Sequence, residues 1–135
     1  MATVLSEAQV FNLTHGYAGT LDLLAWITDP ETGERYLALI DIKTGKDTYI
    51  AHLIHTLLYA FGEFVGRDDV IDHAATHALH QAQAVGILRL RPDHWEWQEL
   101  AAPDTVKEAI FHQVALANFY AANPRIDPYI AKRIK

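Results

Sequence analysis

Cysteine is absent from the chain. Disulfides, thiolate zinc sites and iron–sulfur clusters are therefore excluded, and the absence suits a reducing compartment. Internal repeats, low-complexity tracts and interdomain linkers are missing as well. No apolar run approaches the roughly 18 residues a membrane span needs. The N-terminus lacks the basic-then-apolar pattern of a signal peptide. The expectation is a cytoplasmic protein without a membrane partner. Cations are also in short supply: eleven Lys and Arg stand against seventeen Asp and Glu, a net charge of −6. That balance argues against a phosphate-rich partner unless a local patch or bound divalent cations offset it. Lys43, Lys46, Arg89 and Arg91 could form such a patch, with Lys132, Arg133 and Lys135 at the tail. The plainer account of the tail is a solvated, frayed end.

What is present fits one globular domain. The chain has 135 residues, half of them hydrophobic and about a fifth charged, enough to bury a core. Thr3–Asn12, Tyr17–Thr28 and Arg35–Lys43 read as strands. Asp29-Pro30-Glu31-Thr32-Gly33 is turn chemistry, so the second and third strands should form an antiparallel hairpin. From Asp47 to Val65 the apolar residues Ile50, Leu53, Ile54, Leu57, Leu58, Phe61 and Phe64 recur at helical spacing, and Gly66-Arg67-Asp68 should close that helix. Residues Asp69 to Ala84 are ambiguous, with room for a short helix. Val85–Arg91 and Trp95–Leu100 read as a further hairpin. Pro103-Asp104 opens a last helix that Asn123-Pro124 stops. The order predicts an α/β layer built on a mixed sheet.

The informative feature is where the acids fall. Asp22 and Asp41 are each embedded in an apolar strand, an expensive place for a carboxylate without compensation. If the turn is centred between Glu31 and Thr32, the two are equidistant from it. They then face each other with Cβ atoms roughly 4.5–5.5 Å apart. Like charges so placed repel, and a divalent cation between them removes the penalty. Lys43 lies two residues beyond Asp41 and shares its face, roughly 6.5–7 Å further along the strand. Two carboxylates beside an ammonium group suit phosphodiester hydrolysis. The bland alternative is a solvated sheet edge with Lys43 as counter-ion, and a bulge would turn Asp41 away.

These residues resemble the RecB-like branch of the PD-(D/E)xK nucleases. Gly19-Thr20-Leu21-Asp22 is similar to its Gly-x-x-Asp strand. Asp41-Ile42-Lys43-Thr44-Gly45 is similar to its Asp-x-Lys-Thr-Gly strand end. The likeness extends from about Glu7 to Leu100 and is closest to phage or prophage exonucleases. It implies a single restriction-endonuclease-like domain over 1–135, a mixed sheet flanked by helices. It also implies a Mg²⁺ or Mn²⁺ ion held by Asp22, Asp41 and the Ile42 carbonyl, with Lys43 assisting attack on DNA. Glu7 is an accessory acid under the same likeness, or simply a solvent-facing strand residue. The family's upstream helix, which carries a Glu or His of the metal site, has no counterpart here. A second copy or a partner protein could supply it. Where the family has Gln-x-x-x-Tyr, this chain has His55 and Tyr59, four apart on one helix face.

His73, His77 and His80 would share one side of a helix at a spacing that can bind zinc, although surface histidines are common. His52 could extend the His55 stripe. Trp95 and Trp97 could stack on bases or pack in a core. The function expected is a divalent-metal-dependent deoxyribonuclease, exonucleolytic, in phage or bacterial DNA processing. Lys46, Arg89 and Arg91 would contact nucleic acid. The alternative is a degenerate nuclease-fold module that binds nucleic acid or a protein without chemistry.

Overall fold

The computed structural model describes residues 2–134. Strands β1 (Ala2–Asn12), β2 (Tyr17–Thr28) and β3 (Arg35–Lys43) form an antiparallel meander, as their apolar patterning and turns predict. Helix α1 (Ile50–Ala60) follows, then β4 (Phe64–Arg67), β5 (Val70–Ile71) and α2 (His73–His80). Strands β6 (Ala84–Leu90) and β7 (Trp95–Glu99) precede α3 (Asp104–Ala122). One seven-stranded sheet runs in the order β5-β4-β1-β2-β3-β6-β7. Only β3 and β6 are parallel, so the sheet is mixed and the molecule is a small α/β domain.

The helix expected over Asp47–Val65 is shorter at both ends. Its start is delayed because Thr44 to Tyr49 form a loop, in which Thr48 Oγ1 bonds Gln98 Oε1 at 2.8 Å. It stops early because Gly62 lies tight against β1, where an added Cβ would meet Val10 Cγ1 at 2.0 Å. Phe64 and Val65 continue the helical period on paper. In the fold they pair with Phe11 and Val10 instead, covering an edge of β1 that would otherwise be unpaired. Gly66-Arg67 belongs to that strand, and Asp68-Asp69 makes the turn into β5 with both residues at positive φ.

The two faces of the sheet differ. Val10, Leu21, Leu24, Leu37 and Leu39 bury against Ala75 and Leu79 of α2, with Tyr59 and Ala60 of α1 packed beside them. Each fully buried Leu contributes about 1.5–3 kcal/mol. The opposite face holds a second cluster, Ala25, Ala38 and Ile40 with Leu23, Ile27, Tyr36, Ala84, Leu88 and Trp97, and no helical residue belongs to it. Trp97 therefore packs as a core residue, while Trp95 stays largely exposed. The expected flanking by helices is seen on one face among the described residues.

Helix α1 is held from its C-terminal end. Tyr17 Oη donates to the Leu58 carbonyl at 2.8 Å and Asn12 Nδ2 to the Phe61 carbonyl at 2.9 Å. Both satisfy acceptors that a helix terminus leaves open. The partly buried Tyr17 phenol is pushed up to about 12, chiefly by burial. This clamp fixes Tyr59 over the sheet.

Candidate active site

The β2–β3 register runs from Thr28↔Arg35 to Leu23↔Ile40. Its continuation places Asp22 opposite Asp41, as the turn argument expects. The backbone ladder stops one pair short, because the Asp22 side chain takes over: its Oδ2 accepts the Ile42 N–H at 2.8 Å. Strict alternation also slips here. Leu21 and Leu24 both belong to the helix-side core although they are three apart. Opposite the slip, between the Ser6↔Leu23 and Ala8↔Leu21 pairs, Glu7 has φ 50. A non-glycine residue in that conformation is strained.

Asp41 is 4 % exposed. Lys43 Nζ lies 3.2 Å from Asp41 Oδ2, yet that oxygen has no partner in hydrogen-bond alignment. Burial pushes the Asp41 carboxyl up, Lys43 pulls it down, and the Asp22 carboxylate beside it pushes it up again. The Tyr59 phenol is raised by burial, then by Asp41 and Asp22, so it remains a hydrogen-bond donor at neutral pH. Its ring lies on Gly19: a Cβ there would meet Tyr59 Cε1 at 2.6 Å. The Gly-x-x-Asp spacing thus has a physical meaning, a seat for the ring three residues before the acid. In the sequence alone that glycine is visible only as part of a motif.

Asp22, Asp41, Lys43 and Tyr59 are therefore brought together. Ile42 joins them through its N–H on Asp22, and the remaining candidates lie apart. Glu7 is exposed and lines a separate cleft of about 380 Å³ with Ser6, Arg67, Asp68 and Asp72. His55 is exposed one turn before Tyr59 and makes no side-chain hydrogen bond among the described residues. His52 Nδ1 accepts the Tyr49 N–H at 3.2 Å, so it caps α1 rather than extending a stripe. His80 Nε2 lies 3.0 Å from the Gly62 carbonyl. Among the described residues no three His, Asp or Glu side chains form a metal-binding group, which covers His73, His77 and His80 as well as the acids.

Arg89 and Arg91 act on the loop that follows Lys43. Arg89, paired with Lys43 across the parallel strands, bonds Glu96 Oε2 at 3.1 Å and the Lys46 carbonyl. Arg91 Nη1 donates to the Thr44 carbonyl at 3.3 Å. Lys46 itself is exposed. The sequence offered the two arginines as a nucleic-acid patch, and their place beside Lys43 follows from the β3–β6 pairing. The sequence does not tell that their partners are backbone carbonyls.

The donors present suit a hard divalent cation. Two carboxylates offer oxygens, the buried one facing only the Lys43 ammonium, and a neighbouring backbone carbonyl at Ile42 would add a third. No protein-family model matches the chain, and no curated protein matches it.

Proposed function

We propose that the chain is a divalent-metal-dependent nuclease acting on DNA phosphodiesters, exonucleolytic in habit. The observation that carries the reading is the Asp22–Asp41 pair beside Lys43, in which the buried Asp41 oxygen meets the Lys43 ammonium at 3.2 Å and no aligned hydrogen-bond donor. A buried acid next to a second acid is costly without a cation. Mg²⁺ or Mn²⁺ held by Asp22, Asp41 and the Ile42 carbonyl would supply positive charge to the scissile phosphate and lower the pKa of water.

The chain's own residues would do the rest. With Asp41 engaged by a cation, the Lys43 ammonium would be free to hold the attacking water or a phosphate oxygen where negative charge develops. The Tyr59 hydroxyl, kept protonated, donates towards the same centre. Lys46, exposed in the loop after Lys43, would meet a backbone phosphate. Hydrolysis forms a new P–O bond from water, which gives a proton up to solvent, and breaks the ester P–O bond, the leaving oxygen taking a proton from solvent.

A second reading has an observation in its favour. Only two carboxylates meet, with no third donor side chain among the described residues. A nuclease-like domain that binds nucleic acid or a protein without cleaving fits that count. One assay separates the two. Linear and circular DNA, single- and double-stranded, is incubated with Mg²⁺, Mn²⁺ or EDTA. Metal-dependent cleavage should fall at least about a hundredfold in Asp22→Asn, Asp41→Asn and Lys43→Ala, the scale of losing a transition-state contact. Cleavage that survives all three rejects the proposal, and binding without cleavage in the wild type favours the second reading.

A further inference from the structure

Two apolar surfaces of this chain have no partner among the described residues. One is a groove of about 470 Å³ on the helix-free face of the sheet, lined chiefly by Ile27, Tyr36, Leu88, Trp95 and Trp97. Trp95 is 66 % exposed there. The rim is acidic. Glu99 follows Trp97 on the same face of β7. Burial, and then the charges of Glu99, Asp29 and Glu34, push the Tyr36 phenol up.

The other surface is the segment after α3. Ile126, Tyr129 and Ile134 are 73 %, 56 % and 84 % exposed. Four of the chain's eleven cations and one of its seventeen acids fall in the last eleven residues. The segment is apolar and basic where the groove is apolar and acidic. Within its own chain the segment folds against the end of α3. The Tyr129 ring is 5.8 Å from Phe119, its hydroxyl bonds Asn123, and Arg125 and Arg133 clasp Asp127. None of these contacts involves a groove residue.

We propose that two copies of the chain associate by reciprocal docking, residues 125–134 of each lying in the aromatic groove of the other. A two-fold arrangement makes the same contact twice and is closed. It covers exposed aromatics and isoleucines that a lone chain leaves wet. Lys132 would meet the acids Asp29, Glu34 and Glu99, and Arg125 and Arg133 would exchange Asp127 for them, which makes association sensitive to salt. The inference does not depend on the nuclease reading, since no residue of the acidic pair takes part.

Sedimentation velocity on the full chain, from low to high micromolar concentration, tests it. Trp95→Glu marks the groove and the double change Ile126→Asp with Ile134→Asp marks the segment. All three positions are exposed, and circular dichroism checks that the variants fold. The wild type should dimerise with concentration, and each variant should weaken the dimer by about tenfold or more. An equal mixture of the two variants should recover mixed dimers, held by the one intact groove and the one intact segment. A wild type that stays monomeric at every concentration overturns the proposal, whether the groove then takes its own segment, nucleic acid or another protein. So does a dimer that both variants leave intact.

Discussion

Asp41 is an acid kept from water beside another acid, and its behaviour with pH follows from that. Burial first, and the Asp22 charge after Lys43 is allowed for, hold its carboxyl above the ordinary value. The folded chain therefore binds this proton more readily than the unfolded chain. Its favourable contribution is complete below about pH 4, the unfolded value, and is lost as pH rises through the higher folded value. Asp41→Asn removes the loss. In EDTA, the melting temperature of Asp41→Asn relative to wild type should rise between acid and mildly alkaline pH, as read by calorimetry at both ends. A gap that stays constant contradicts the assignment. Gly19 makes the second claim at this scale. Gly19→Ala drives a methyl into the Tyr59 ring and should cost about 1–3 kcal/mol. The cost should shrink when Tyr59 is Leu, a coupling that urea unfolding of the double-mutant cycle measures. The pair of acids and the lysine were legible because strand period and turn position fix them. The Gly19–Tyr59 contact was not, since no local pattern says which helix residue crosses which strand.

Among the elements, the β2–β3 hairpin is the one most fully written in local sequence. Asp29 does the turning: its carboxylate accepts the Glu31 N–H at 2.8 Å, and Gly33 takes φ 73. Both strands end where the patterning ends. Helix α1 is shorter than its periodicity predicts because Phe64 and Val65 keep a helical period by coincidence, and the demand that decides their fate is the unpaired edge of β1, far away in sequence. The short β5 carried no signal at all, being two residues long. The loop after Lys43 depends on β6 for its shape. Arg89→Ala and Arg91→Ala should leave the sheet intact and free residues 44–48, so amide hydrogen exchange there should quicken by about tenfold or more while β3 and β6 stay protected. Unchanged exchange in that loop would show that the two guanidinium groups do not hold it.

At the scale of the whole molecule, the sheet carries helices on one side and aromatic residues on the other, and the candidate site lies on the helix side where β3 ends. Fold class could be read from element order, but the seven-strand order could not, because β4 enters beside β1 through contacts with no sequence periodicity. The acidic net charge, awkward for the proposed DNA partner, would become less so if a cation neutralised Asp22 and Asp41. Whether those two side chains share a cation is the point on which the functional account rests. The most direct measurement is a calorimetric titration of the EDTA-stripped chain with Mn²⁺ at neutral pH, repeated on Asp22→Asn, Asp41→Asn and a His73→Ala, His77→Ala control. One site per chain is expected, weakened by about tenfold or more in each aspartate variant and unchanged in the histidine control. No Mn²⁺ binding in the wild type, or binding that both aspartate variants retain, would contradict it.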